Sequence, residues 1–408
     1  MMNYLDPSDD TKWVHLNATK LQKFNQNYKR YLAYLEEQDI IIVNSSYQPN
    51  KVSKGYRITD IYYSGIPVEI GIDEEDCIIK RKVESLKQAK TNQLEETDRD
   101  YPYLTKWMNP KLLIDKEGAL QEIDKLYPKN QKQYFYKGKW RSIRRARMKA
   151  LRAVAKLAKQ DFTLKVDKNI GRYHTNLTCL KKDLRKYLKY FGRPLVNLDI
   201  RNSQPLFSGM LLNKSFYEPG ENFSIFSIPS LHSLLNSESL HSIISSVYFI
   251  MLGVSAQKEF KQYLEIVQGG RFYEEMSELM YPGQPFDRAL MKETIYIMFF
   301  ADNRHGPELR KVEAPFKAKF PNVYEMFKLL KKHNKRVLSH ILQRIESKVM
   351  IETVAKRIGW EHPYMPIYPI HDSIATTEEH ADYVEGIIKE EIKKLTGLDA
   401  CIGREMWS

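Results

Sequence analysis

The spacing of apolar residues divides the chain into an N-terminal stretch of mixed texture and a longer region where short strands alternate with helices. Between about residues 10 and 37, Trp13, Leu16, Leu21, Phe24, Tyr28, Tyr31 and Leu35 recur at helical intervals. Strand-like runs follow at 40–43 and 56–63, with Val68, Ile70 and Ile72 alternating thereafter. From about 76 to 160 the pattern is helical and heavily charged, broken near Pro102, Pro110 and Pro128. Beyond about 165, apolar runs such as 195–198 and 365–370 read as strands set among helices. A serine-rich segment at about 223–246 reads as an insertion or a mobile part of a helical region. Together these elements predict an α+β fold.

Two of the strand-like runs lead into aspartate. Asp199 lies in Leu198-Asp199-Ile200-Arg201-Asn202-Ser203-Gln204-Pro205, and Asp372 in Tyr368-Pro369-Ile370-His371-Asp372-Ser373-Ile374. Pro366 and Pro369 put the second run at a sheet edge or in a tight hairpin. Magnesium takes octahedral oxygen ligands, keeps several waters and accepts one or two carboxylates plus substrate phosphates. Two such ions about 3.5–4 Å apart activate an attacking hydroxyl and stabilise a leaving oxygen, and two strand-borne aspartates are the minimum scaffold for them. Taken singly, either aspartate also reads as a turn former or helix cap.

A helical segment lies between the two. In Pro285-Phe286-Asp287-Arg288-Ala289-Leu290-Met291-Lys292, Asp287 can cap a helix running to about Ala301. Arg288, Lys292, Tyr296 and Phe300 recur every four residues and share one face. Cations near a helix N-terminus make a triphosphate clamp, and the two rings would meet base and sugar. The other reading is an amphipathic helix with its aromatics in the core and its charges in water.

Composition points to a polyanionic partner. The 408 residues carry a formal charge of +13 and 12% aromatics, 26 of them tyrosine, which suits stacking on bases. Residues 137–159 hold ten lysines and arginines and no acid, with Ile143, Ala146, Ala150, Val154 and Leu157 on one face. That stretch is either a solvated amphipathic helix or a surface for a phosphate backbone, with Arg144, Arg145 and Arg147 as its contacts. Cys77, Cys179 and Cys401 form no CxxC, which argues against a disulfide framework or zinc site and fits a reducing compartment. The first ten residues show no basic stretch followed by an apolar core, and the most apolar run, 243–254, is too short for a bilayer. The expectation is a soluble, cytoplasmic protein with no membrane partner. The acidic run at 73–76 reads as a cap for the helix after it.

The order Asp199, then Arg288-x3-Lys292-x7-Phe300, then His371-Asp372-Ser373 resembles motifs A, B and C of the family A DNA polymerases and the related single-subunit phage and mitochondrial RNA polymerases. Gly171-Arg172-Tyr173 resembles the family's Gly-Arg-Leu segment, whose arginine contacts the primer–template minor groove. Gly270-Arg271-Phe272-Tyr273-Glu274 resembles the segment before motif B, and Phe316-Lys317-Ala318-Lys319-Phe320-Pro321-Asn322-Val323 the stretch after it. The resemblance covers about 166–408.

What the resemblance implies is a polymerase right hand: a palm with an antiparallel sheet, and helical fingers and thumb, preceded by a mixed N-terminal region. The expected divisions are a mixed α/β accessory region at 1–100, a basic helical thumb-like region at 101–165, a palm at 166–215 and 335–408, and fingers at 216–334. It implies two Mg2+ ions, with Mn2+ as an alternative, on Asp199, Asp372 and the Ile200 carbonyl. Arg288 and Lys292 would hold the triphosphate, Lys292 would protonate departing pyrophosphate, and Tyr296, Phe300 and Gln204 would face the nucleotide. Arg172, His371 and Gln343 would lie near the primer terminus, although Gln343 equally reads as a surface helix residue.

This chain departs from the family at three positions. Ser373 follows the motif C aspartate, as in the RNA polymerases, where DNA polymerases carry Glu. Gln204 stands five residues past the motif A aspartate, where DNA polymerases carry a glutamate that blocks a ribose 2′-OH. Phe300-Ala301 replaces Tyr-Gly, so that ring stacks without a hydroxyl. Sliding Ser203-Gln204 onto the family's Asp-x-Ser-Gln needs a two-residue insertion and is rejected. The retained bulk of Gln204 favours DNA synthesis on a template-primer from nucleoside triphosphates, and Ser373 keeps RNA synthesis or priming as the alternative. A non-catalytic nucleic-acid-binding protein on the same scaffold is the reading from another class, and a metal-dependent nuclease is a third. A compact enzyme of this kind suits a phage, a plasmid or another mobile element.

Overall fold

The computed structural model describes residues 14–44, 53–59, 77–128, 131, 133–136, 139–221, 223–304 and 306–408. The alternation at 68–72 and the acidic run at 73–76 lie outside the described residues. The chain forms two compact units, one of Met1–Glu96 with Leu120–Arg152, the other of Thr97–Ala119 with Ala153–Ser408. Helices and antiparallel strands mix in both, so the fold is α+β.

The first unit holds a three-stranded antiparallel sheet in the order Val14–His15, Gly55–Ile58, Ile41–Asn44. The helical periodicity near the N-terminus resolves into two helices, Ala18–Phe24 and Tyr28–Glu37. They part where the Asn25 side chain accepts from the Asn27 N–H at 2.7 Å, a local bond that competes with the helical ladder. A hairpin of Gln133–Tyr136 and Lys139–Ser142 interrupts a stretch whose charge pattern reads as helical.

The second unit is built on a six-stranded antiparallel sheet. Its centre is Arg193–Ile200, whose residues Leu195 to Asp199 pair with Thr377 to Ser373 on one side and with Trp407 to Gly403 on the other. Leu195, Val196 and Leu198 are buried, as expected of a strand covered on both faces. Tyr368–Ile370 forms the edge beyond Ser373–Thr377, where Pro369 removes no needed donor. Leu188–Tyr190 and Leu112–Ile114 extend the sheet the other way.

Two long helical elements brace this sheet. In Arg336–Ser347, Val337, Leu338, Ile341, Leu342 and Ile345 recur every three or four residues and are wholly buried. The rod continues as a π-helical turn, Lys348–Ala355, where the Thr353 hydroxyl donates to the Lys348 carbonyl at 2.6 Å. Ala381–Thr396 buries Val384, Ile387, Ile388 and Ile392 and stops at Gly397, whose φ of 74° suits a left-handed cap.

The described residues between 231 and 330 are mostly helical, around an aromatic cluster of Tyr263, Phe272, Phe316, Phe320 and Phe327. Pro321 opens the helix Pro321–Leu330, and the Glu259 carboxylate accepts the Asn322 and Val323 N–H groups at 3.2 and 2.8 Å. Ser224, Ser227, Ser230 and Ser233 form local caps and turns, Ser224 and Ser230 being buried, while Ser237, Ser239, Ser242, Ser245 and Ser246 lie in the helix Ser237–Met251. Among the described residues no single helix is long and apolar enough to cross a membrane.

Candidate active site

Asp199 and Asp372 meet at one end of the sheet. Asp199 is the penultimate residue of the central strand and stands opposite Ser373, so the next residue of the hairpin, Asp372, is its neighbour. The Ile200 N–H donates to the Asp372 carbonyl at 3.1 Å, and the Ser203 hydroxyl donates to the Asp372 carboxylate. Each aspartate is followed or preceded by a residue in left-handed conformation, Asn202 at φ 55° and His371 at φ 58°.

The electrostatics match a cation-binding pair. Asp199 is exposed near the end of its strand, yet the protein around it, together with the charge of Asp372, pushes its carboxyl up to about 7. Lys182, paired with Glu405 at 3.0 Å, and Lys292 act the other way on it. A divalent ion beside Asp199 would relieve that penalty on its charged form. The oxygen-only donor set fits magnesium, and Asp199 and Asp372 are the residues that would hold it. Among the described residues no group of three or more His, Cys, Asp or Glu side chains adds to them as a metal cluster.

The helix Arg288–Phe300 starts as its sequence dictates, with the Asp287 carboxylate accepting from Ala289 and Leu290 N–H at 2.8 and 3.1 Å. Arg288 and Lys292 each lie over the Tyr273 ring, 5.4 and 5.7 Å from its centre. Arg288 also pairs with Glu274 at 2.6 Å. Burial first, then the nearby Asp372 and Glu274, raises the Tyr273 hydroxyl above its usual range, while Arg288 opposes them. Tyr273 thus lies against both cations and within the field of Asp372, and sequence reasoning does not single it out as a site residue. Tyr296 is exposed and Phe300 half-buried, their ring centres 4.7 Å apart.

A second missed residue lies deeper. Glu346 is 2% exposed, and its carboxylate accepts from Arg172 Nε and Nη2 at 3.0 and 2.8 Å and from Gln204 Nε2 at 2.6 Å. Burial pushes it up to about 7 despite Arg172. Gly171, next to Arg172, has φ at 72°, a left-handed conformation that favours glycine. A glutamate inside an apolar helical stripe gives no separate signal in sequence. Arg185, a third missed residue, lies 5.5 Å over Trp407 with its Nε buried and unpartnered, within the field of Glu405, Asp199 and Asp372.

The remaining expected residues fall in three settings. His371 is held down to about 4, by burial first and by Arg172 next, so it is neutral, with Nδ1 buried and unpartnered. Gln343 is half-buried one helical turn before Glu346, and its carbonyl accepts from the Ser347 hydroxyl at 2.9 Å. Arg144, Arg145 and Arg147 belong to the first unit, where Arg147 pairs with Asp124 at 2.6 Å.

No protein-family model matches the sequence, and no curated protein matches it. A solved structure described as the POL domain of Pol1 from M. smegmatis, in complex with DNA primer-template and dNTP, is similar over 81% of this chain and 74% of its own. Identity is 12% and the TM-score 0.31, a loose overlap.

Proposed function

We propose that this chain is a template-directed nucleotidyltransferase, a compact polymerase that adds nucleotides to a primer 3′ end. The observation that carries the reading is the pair Asp199, near the end of the central strand, and Asp372, in the turn of the neighbouring hairpin, with Lys292 acting electrostatically on Asp199 from a helix that also bears Arg288. In this reading 166–215 and 335–408 are the palm, joined by the strand Leu112–Ile114, 216–334 the fingers and 1–100 an accessory region, while the thumb-like region expected at 101–165 is divided between the two units.

Asp199 and Asp372, with the Ile200 carbonyl, would hold two magnesium ions. When bound, these ions neutralise phosphate charge and activate the attacking hydroxyl. Arg288 and Lys292 bind and orient the triphosphate, and Lys292 delivers a proton to the departing pyrophosphate. Tyr273 lends both cations a ring face and limits their swing. Arg172, His371 and Gln343 border the primer terminus, and Tyr296, Phe300 and Gln204 meet the nucleotide. Most of the acceleration comes from positioning and charge compensation rather than covalent catalysis.

The bulk of Gln204 supports deoxyribonucleotide use. One observation favours ribonucleotides as a second reading: Gln204 Oε1 is buried without a hydrogen-bond partner, an acceptor that a sugar hydroxyl would satisfy. The test is incubation of the protein with a primed template, Mg2+ and either nucleotide set. Primer lengthening that disappears in Asp372→Ala is expected; binding without extension, or degradation of the strand, contradicts it.

A further inference from the structure

We propose that Glu346 is the positioning residue through which this chain selects the sugar of its nucleotide, by holding Gln204 in a single orientation. The inference rests on the polymerase reading above. Gln204 turns its NH2 end to Glu346, donating to the carboxylate at 2.6 Å. The other end, Oε1, is thereby directed away from Glu346 and is buried with no partner. Glu346 itself has little freedom: Arg172 clamps its second oxygen through two nitrogens, and its helix is anchored by the wholly buried Val337, Leu338, Ile341, Leu342 and Ile345.

The held amide is one residue from Ser203, whose hydroxyl is on the Asp372 carboxylate. A nucleotide whose phosphates meet Asp199 and Asp372 carries its sugar directly beyond them, through the ester oxygen. In the polymerase reading above, that puts the sugar hydroxyls on the Gln204 side of the carboxylate pair. Free to rotate, a glutamine offers a donor or an acceptor by a half-turn and accommodates either sugar. Held by Glu346, it offers only an oxygen at one point, and it responds differently to a sugar with or without a hydroxyl there.

The test is single-nucleotide incorporation on a primed template, comparing kcat/KM for a nucleoside triphosphate and its 2′-deoxy counterpart. Glu346→Gln lets either end of the Gln204 amide face position 346, and Gln204→Met keeps the volume and removes both polar ends. The wild type is expected to prefer one sugar by at least about 100-fold, and each variant to bring that ratio at least about 10-fold closer to one. The double variant is expected to match Gln204→Met, because Glu346 acts through Gln204. A merely structural lesion lowers both sugars alike and leaves the ratio unmoved. Should Glu346→Gln not fold, Gln204→Met, which spares the Arg172–Glu346 pair, carries the test. An unchanged ratio in either folded variant, additive effects in the double, or a wild type indifferent to sugar overturns the inference while leaving polymerisation standing. A wild type that incorporates nothing overturns both.

Discussion

The Ser203 hydroxyl donates to the Asp372 carboxylate across 169 residues of chain, tying the turn after the central strand to the turn of the edge hairpin. Ser203 is nearly buried, and its bond fixes one carboxylate oxygen of Asp372 and so orients the other. Groups that hold metal ligands in this way typically change metal affinity by about 10- to 100-fold when removed. Ser203→Ala is therefore expected to weaken Mn2+ binding by at least about 10-fold, as followed by paramagnetic resonance titration. Unaltered Mn2+ affinity in a folded variant would show that the bond orients nothing of consequence.

Lys292 and Arg288 differ in how committed they are. Lys292 acts on Asp199, whereas Arg288 is already paired with Glu274 on the protein surface. A charge-assisted hydrogen bond to phosphate contributes about 1.5–3 kcal/mol, so Lys292→Ala should lower kcat/KM by roughly 10- to 100-fold. Exposed pairs contribute only about 0–1 kcal/mol, so Glu274→Gln, which frees Arg288, should tighten nucleotide binding by no more than about fivefold. Equilibrium nucleotide titration of both variants separates them; equal losses would mean that Arg288 and Glu274 act as one structural pair.

The carboxylate pair also sets a pH dependence. Asp199 faces Asp372, Lys182, Glu405 and Lys292, and its carboxyl is raised to about 7, as is that of Glu346. A carboxyl raised on folding binds its proton more tightly in the native state than in the unfolded one. Its contribution to stability is complete below the ordinary carboxylate range and is lost as pH rises towards about 7. In EDTA the melting temperature of the wild type should therefore fall between pH 5 and 8 more steeply than that of Asp199→Asn. Added Mg2+ should restore more stability at pH 8 than at pH 5, by about 2.7 kcal/mol at a hundred times its dissociation constant. Parallel pH profiles for the two proteins would contradict the electrostatic coupling.

Packing of the helical region gives a prediction independent of chemistry. Tyr263 is fully buried among four phenylalanines, and its hydroxyl meets Ser208 at 2.8 Å. Tyr263→Ala should cost about 3–5 kcal/mol and Tyr263→Phe only about 1 kcal/mol, because Ser208 keeps its bond to the Pro205 carbonyl. Urea unfolding of the two variants measures both; equal costs would place the stabilisation in the hydroxyl rather than in the ring.

The sequence disclosed those parts of the fold whose pattern is local. Leu195, Val196 and Leu198 announce the central strand, Asp287 the start of the cationic helix, and Pro369 the edge position of the hairpin. Other features depend on contacts between distant segments and leave no local trace. Leu112–Ile114 joins the sheet from within a charged helical stretch, because it pairs with Leu188–Tyr190 far along the chain. Glu346 reads as one polar residue on a helix, and only the approach of Arg172 makes it the buried partner of Gln204. Tyr273 was visible as part of a segment, but its position beneath Arg288 and Lys292 arises from packing of two helices.

The central claim is that Asp199 and Asp372 together support nucleotidyl transfer. The most direct measurement follows primer lengthening and pyrophosphate release in one reaction with Mg2+, for the wild type and for Asp199→Asn and Asp372→Asn. One pyrophosphate per nucleotide added, with both signals reduced at least about 1000-fold in each variant, is the expected result. Pyrophosphate without extension, shortening of the primer, or full activity in either variant would contradict it.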